Sequence, residues 1–346
     1  MSGSMNSLGA IPHLLAYVFA ATAALGLVLG GWWSMLTIAY GIVLVPLLDP
    51  IIGTYFPPER PRFRSWVFDL VLWLAAPITL AVVVLALWRV SFRAVSVVEA
   101  IGFTLSVSLT TSIGMVAAHE LVHRRRAFER GLGLLLLALA SNMQYRLHHV
   151  FGHHKRIGVP GDMETAGKGE NVYGFAMRCY LGQHLWSLRS EMARLKRRNR
   201  APLGPGNRLL WYLVIEAALV AAIFLVFGWR GALFFLGQCY VATFLLNAVF
   251  YLEHYGLVRR EIEPDRFEAI SERHSWNSNY RLTNWTVYNL ARHSGHHLHE
   301  AIHYEGLGNS ADTPQLPTGY GGMILLAMVP PLWRRVMDPL AERWRQ

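Results

Sequence analysis

Six apolar runs, each long enough to cross a bilayer, constrain this 346-residue chain more than any other feature. They fall at residues 11–30, 32–52, 66–88, 94–118, 209–227 and 231–252. A helix crosses a hydrocarbon core about 30 Å thick with roughly 20 residues. Because every backbone polar group must be satisfied inside lipid, such runs fold as helices. The expected fold is an all-α, polytopic membrane protein with about six transmembrane helices, read as a single domain over 1–346. Charged residues make up only 16% of the chain, against about 25% in a soluble domain. The few carboxylates inside the runs are Asp49, Asp69, Glu99 and Glu216. An intramembrane carboxylate faces other helices or lies near an interface, and Asp69 is only three residues into its run.

The apolar run nearest the N-terminus has no basic segment before it and continues into a second run, so it reads as a retained span rather than a cleaved leader. Lysine and arginine set the orientation. Arg124, Arg125, Arg126, Arg130, Lys155, Arg156, Arg194, Lys196, Arg197, Arg198 and Arg200 crowd residues 119–208. Arg259, Arg260, Arg281, Arg334 and Arg335 follow the last run, and Arg60, Arg62 and Arg64 sit between the second and third. With six crossings all of these share one side, facing only Arg89, Arg93 and Arg230 on the other. That side is expected to be cytoplasmic, in a bacterial inner membrane, carrying segments 119–208 and 253–346. The net charge of +10 suits anionic lipid and an acidic soluble partner. The basic residues form no nucleic-acid module. Two cysteines, Cys179 and Cys239, exclude a disulfide framework and a cysteine-rich metal module.

Two shorter apolar stretches, 131–140 and 319–333, cannot span. They predict buried or half-inserted helices, the second ending at Pro330–Pro331.

Fifteen histidines are present, and four groups stand out on the basic side. They are His119-Glu120-Leu121-Val122-His123, His148-His149-Val150-Phe151-Gly152-His153-His154, His254 in Glu253-His254-Tyr255-Gly256, and Arg292-His293-Ser294-Gly295-His296-His297. Residues three or four apart share a helix face. His119/His123, His149/His153 and His293/His296/His297 are therefore expected to present imidazoles in common directions. Nine nitrogen donors exceed what one metal takes and suit two. His13, His184, His274 and His303 stand outside the groups and read as ordinary polar residues. The HExxH pattern alone would also fit a membrane metalloprotease, and a metal-binding transporter is a further alternative.

With these groups in place, the chain resembles the integral-membrane di-iron alkane hydroxylases and the related xylene monooxygenases, within the membrane fatty acid desaturase–hydroxylase superfamily. Gly169-Glu170-Asn171-Val172-Tyr173, His274-Ser275-Trp276-Asn277-Ser278, Leu316-Pro317-Thr318-Gly319-Tyr320 and Pro330-Pro331-Leu332-Trp333-Arg334 extend the resemblance over most of the chain. It implies metal ligands at His119, His123, His149, His153, His154, His254, His293, His296 and His297. It implies two non-haem irons, and O2-dependent hydroxylation of the terminal methyl group of an alkane to a primary alcohol, with the second oxygen atom leaving as water. Methyl hydroxylation of alkylbenzenes is the alternative within the family. The chain has no NADH or flavin motif of its own, so two electrons are expected from a rubredoxin or ferredoxin-type donor with its reductase. Glu120, Asp162, Glu170, Glu253 and Asp312 are candidates to orient imidazole N–H groups. The chain departs from the family pattern at His148 (usually Glu), Val150 and Phe151 (usually polar), Gly295 (usually Asp) and Leu298-His299-Glu300 (usually an Asn-Pro run). These changes bear on the surroundings of the ligands and on donor docking. An apolar substrate would enter from lipid, and Trp33, Leu36, Phe103 and Val107 are candidates to line its cavity.

Overall fold

A computed structural model describes residues 8–57 and 66–344; Arg60, Arg62 and Arg64 lie outside the described residues. Helix follows the apolar runs. α1 is Gly9–Leu29, α2 Gly31–Ile52, α3 Trp66–Phe92 and α4 Val97–His123. A short α5 (Ala127–Ala138) follows, then α6, a helical stretch over 145–156. α7 is Val172–Arg197 and α8 is Arg208–His254. Among the described residues the only paired strands are the hairpin Glu261–Glu263 and Arg266–Phe267. The expected all-α membrane protein is what folds.

Five helices are long and apolar enough to cross a membrane, and the fifth, α8, has 47 residues. A straight helix of that length would reach about 70 Å, more than twice the hydrocarbon core. It does not stay straight. Gly228, at φ 69° and ψ −174°, interrupts it. Glu216, twelve residues before Gly228, accepts from the Met143 backbone N–H at 2.6 Å, and Gln238, ten residues after it, donates to the Leu139 carbonyl at 2.8 Å. Both limbs therefore pass the same turn of chain, and α8 folds as a hairpin of two helical limbs. The runs expected at 209–227 and 231–252 are its two limbs, joined by one residue instead of a loop. Gly228 adopts a backbone conformation open almost only to glycine, and a Cβ there would meet nothing within 4 Å. Gly228→Ala is thus expected to act through the backbone alone, destabilising by about 1–3 kcal/mol. A lowered Tm in detergent, with helix content kept, is the measurement.

The far end of the bundle is tied by Glu99. It closes a capping box with Ser96 at the start of α4, receives the Gly31 N–H at 3.0 Å and pairs with Arg89 at 3.1 Å. Asp49 and Asp69 sit at the histidine end. Asp49 takes the Thr283 N–H at 2.9 Å and its hydroxyl at 2.5 Å. Asp69 lies 3.5 Å from Arg124, which also pairs with Glu120 at 2.8 Å. The stretch 131–140 becomes the end of α5, packed on α4. The stretch 319–333 becomes two helices, α11 (Tyr320–Ala327) and α12 (Pro330–Trp344), after the short α9 (Arg281–Thr286) and α10 (His293–Leu298). Pro330–Pro331 opens α12 rather than merely ending α11, since the first turn of a helix needs no N–H partner.

The expected cavity lining is not found where the sequence placed it. Phe103 and Val107 are fully buried in side-chain packing with Leu27 and Phe235, while Trp33 is 54% exposed. Small residues let α4 pack too closely for a channel there: a Cβ on Gly102 would collide with Ser34.

Candidate metal centre

The four histidine groups converge at one end of the bundle, each carried by a different element. α4 ends in His119 and His123, and the second limb of α8 ends in His254. α6 carries His149, His153 and His154, and α10 carries His293, His296 and His297. Hydrogen bonds among the outlying motifs lock the last two groups together. The Trp276 N–H donates to the Glu253 carbonyl and its indole to the Tyr255 carbonyl, both at 2.8 Å. Asn277 then receives the Ser294 N–H and hydroxyl, each at 2.9 Å, fixing the start of α10.

All nine expected histidines fall into two clusters whose candidate ligand atoms lie within 4.8 Å of one another: His119, His123, His149, His154 and His296, and His153, His254, His293 and His297. The division differs from the one spacing suggests. His149 and His153, four apart, go to different clusters because α6 widens into a π turn at His149–His153. A π turn aligns i with i+5, and His149 Nε2 accordingly meets His154 Nε2 at 3.0 Å. In α10 His293 and His297 share a cluster, while His296 crosses to the other. His13, His184, His274 and His303 stay outside both clusters. His274 illustrates why: its nitrogens are engaged by the Ser271 N–H at 2.9 Å and by Glu268 at 3.2 Å.

The donor sets fit metal ions. The Nε2 atoms of His254, His293 and His297 approach pairwise at 2.9, 3.3 and 2.7 Å. Protons cannot satisfy such a triangle, because each neutral imidazole donates one N–H in one direction. Nitrogens bound side by side to one ion about 2.1 Å away sit about 3 Å apart. The Nε2 atoms of His119 and His123 are buried without a hydrogen-bond partner. Burial, reinforced by neighbouring imidazoles, holds His149, His154, His293, His296 and His297 well below the usual histidine range, so they stay neutral with lone pairs free.

Carboxylates surround the clusters. Asp162 accepts from His153 Nδ1 at 2.9 Å. Burial opposes charge on both partners, but the pairing outweighs it, raising His153 to about 9 and lowering Asp162 to about 2. An environment that favours an imidazolium equally favours an imidazole bound to a cation. Glu164 takes His148 Nδ1 on one oxygen and His149 Nδ1 on the other, both at 2.8 Å, with Gln183 behind it at 3.1 Å. Glu253 lies 3.3 Å from His293 Nδ1 and accepts from the Tyr320 hydroxyl at 2.8 Å. These three carboxylates are buried and, among the described residues, form no ion pair with lysine or arginine. A buried carboxylate that stays ionised needs compensation, and two divalent ions beside these three would provide it.

Of the five acidic residues singled out from the sequence, Asp162 and Glu253 reach a clustered histidine. Glu120 is instead held by Arg124 and the Tyr304 N–H, Glu170 by Arg178, and Asp312 is exposed. With Glu120 so tied and His119 and His123 sharing a cluster with three more histidines, the HExxH pattern does not build a protease site. Glu164, which sequence reasoning missed, touches two histidines at once. Its signal was an acidic pair, Asp162 and Glu164, in the stretch that follows the second histidine group. A polar hollow of about 490 Å³ reaches His123, the least buried of the nine, and is lined by Arg124, Arg125 and Arg126 together with Glu120, Glu129 and Glu300.

Comparison with known proteins places this arrangement. The family model described as fatty acid desaturase matches residues 94–325. Alkane 1-monooxygenase 2 of Pseudomonas aeruginosa is 39% identical over 337 residues, covering 92% of this chain and 89% of that protein. Alkane 1-monooxygenase of Ectopseudomonas oleovorans is 32% identical, covering 96% and 85%. The xylene/toluene monooxygenase hydroxylase component XylM of Pseudomonas putida is 25% identical over 96% and 89%.

Proposed function

Because this chain belongs to the fatty acid desaturase family and, within it, to the integral-membrane alkane hydroxylases, an oxidoreductase group, we propose that it hydroxylates the terminal methyl group of an alkane to a primary alcohol. The observation that carries the reading is the double histidine cluster at the end of a lipid-spanning bundle, in a chain 39% identical to an alkane 1-monooxygenase. The whole chain acts as one domain, since the histidines come from elements between residues 119 and 297.

The metal that the family resemblance implies is iron, and imidazole donors without a cysteine accept it; Cys179 and Cys239 stand outside both clusters. His119, His123, His149, His154 and His296 would hold one ion, and His153, His254, His293 and His297 the other. Bound there, two irons would supply O2 activation, in which R–CH3, O2, two electrons and two protons give R–CH2OH and water. Asp162 and Glu164 hold His153 and His149 with Nδ1 outward and Nε2 inward, so those two rings arrive pre-oriented.

Electrons come from an acidic iron–sulfur protein, a rubredoxin or a ferredoxin with its reductase. The excess of basic residues on the histidine side fits such a partner by charge, since opposed charges speed and orient encounter. The histidine side faces the cytoplasm of a bacterial inner membrane, in keeping with the basic residues there. The likeness to the xylene/toluene enzyme component supports a second reading, methyl hydroxylation of an alkylbenzene. Whole cells expressing the chain with each donor system, supplied with an n-alkane series and p-xylene, separate the two. Primary alcohols from alkanes are the expected products. Methylbenzyl alcohol alone would establish the second reading, and one zinc per chain, or no metal, would overturn both.

A further inference from the structure

α7 carries a stripe that water would not tolerate. Tyr173, Met177, Leu181, Leu185 and Leu188 follow at spacings of four, four, four and three, and all are about half exposed. At 100° per residue these five fall within one third of the helix circumference. The opposite face, with Cys179, Gln183 and Ser187, is buried against the metal centre. A soluble monomer rarely presents so continuous an apolar strip.

The placement of α7 says what covers it. Near its start Phe175 packs on Tyr251, at the histidine end of α8's second limb. Near its end Glu191 pairs with Arg208, where the first limb begins, at 2.8 Å. Both limb ends lie on the histidine side, so α7 runs across the bundle rather than along it. Beneath it opens an apolar groove of about 420 Å³, walled by α7 and by second-limb residues Leu236, Tyr240 and Phe244. These lie 10 to 18 residues before His254, or about 15–27 Å into the span. The groove side of α7 therefore faces the hydrocarbon. It is continuous with the exposed apolar surface of Leu233, Leu236 and Tyr240 on a limb that crosses the membrane. Arg178 and Arg189 border a different hollow on the other flank of the stripe, and Arg194, Lys196, Arg197, Arg198 and Arg200 crowd the region around its C-terminal end.

We propose that α7 is an in-plane membrane helix, its stripe immersed in the acyl chains of the leaflet on the histidine side, with anionic headgroups along its basic flank and end. An amphipathic helix of this kind sinks its apolar face about 5–10 Å into the boundary between headgroups and chains. The stretch that sequence alone assigns to a soluble segment is then the membrane-side floor of the metal centre, since Gln183 and Trp186 back Glu164 and Gly152 from it.

The test is a depth measurement on the full chain. Single variants Leu181→Cys, Leu185→Cys and Arg189→Cys are labelled with an environment-sensitive fluorophore and reconstituted into phosphatidylethanolamine–phosphatidylglycerol vesicles. The native Cys179 and Cys239 are buried, and the unsubstituted chain gives the background. At positions 181 and 185, lipids brominated on their chains should quench at least about twofold more than at 189, and aqueous iodide at least about twofold less. Iodide quenching at 181 and 185 equal to that at 189, with no quenching by brominated lipid, would overturn the proposal and leave the stripe as a surface for a soluble protein. Unchanged circular dichroism checks that each variant is folded.

Discussion

Replacing His254 by alanine should abolish turnover and lower bound metal from two ions per chain towards one. His254 Nε2 lies 2.9 Å from His293 Nε2 and 3.3 Å from His297 Nε2, at the centre of the four-histidine cluster. A metal ion contributes several kcal/mol of charge stabilisation to the reaction it assists. Its loss should lower kcat/KM by at least about 10³-fold, at about 1.4 kcal/mol per factor of ten. The substitution falls on the last residue of a spanning helix, so membrane insertion and helix content should persist. His274→Ala is the matched control. It removes a buried histidine of the same sequence motif set whose nitrogens are engaged by Ser271 and Glu268, and it should keep both ions. Metal analysis of the purified proteins beside the oxidation assay decides the matter. A His254→Ala chain that retains two irons and full activity would remove His254 from the ligand set.

The second large effect is expected at Glu164, a residue that touches no substrate and is no member of the nine. Its two oxygens receive His148 and His149 at 2.8 Å each. Glu164→Ala frees the His149 ring and takes one buried negative charge from beside the clusters. Losses of this kind typically reduce metal affinity or activity about 10- to 100-fold. Glu164→Gln should fall between, because a glutamine has one acceptor oxygen for two N–H donors. Metal competition titrations with a chelator, run on all three chains, would show weakening in the order Ala, Gln, Glu. Equal retention in all three would mean that Glu164 does not position the histidine.

The bundle was legible in the sequence because lipid imposes a length that apolar runs must meet, and all six runs became helix. The joining of the last two was not legible, since a single Gly228 replaces a loop and nothing in its neighbours announces the turn. The convergence of the nine histidines was equally plain, since clustered histidines at span ends can hardly be satisfied otherwise. Their assignment to two groups was not, because it depends on the π turn in α6, and helical spacing alone pairs His149 with the wrong partner. Acidic neighbours proved less readable still. Adjacency in sequence favoured Glu120, yet a residue next to a ligand on a helix points about 100° away from it, and Glu120 turned to Arg124. Glu164 reaches two histidines through a loop whose course only the fold reveals. The cavity residues failed for a related reason, since whether Phe103 faces a void or a neighbour depends on how closely α4 packs.

The division of the histidines has one more consequence. His153 and His154 are consecutive, and so are His296 and His297, yet each pair is split between the clusters. Under the proposed assignment, two single peptide links run from one ion to the other. Successive Cα atoms are 3.8 Å apart whatever the surrounding helices do. The ions are thus yoked by covalent geometry, and their separation should be the last thing to change when a thicker bilayer, a detergent or a distant substitution tilts the bundle around them.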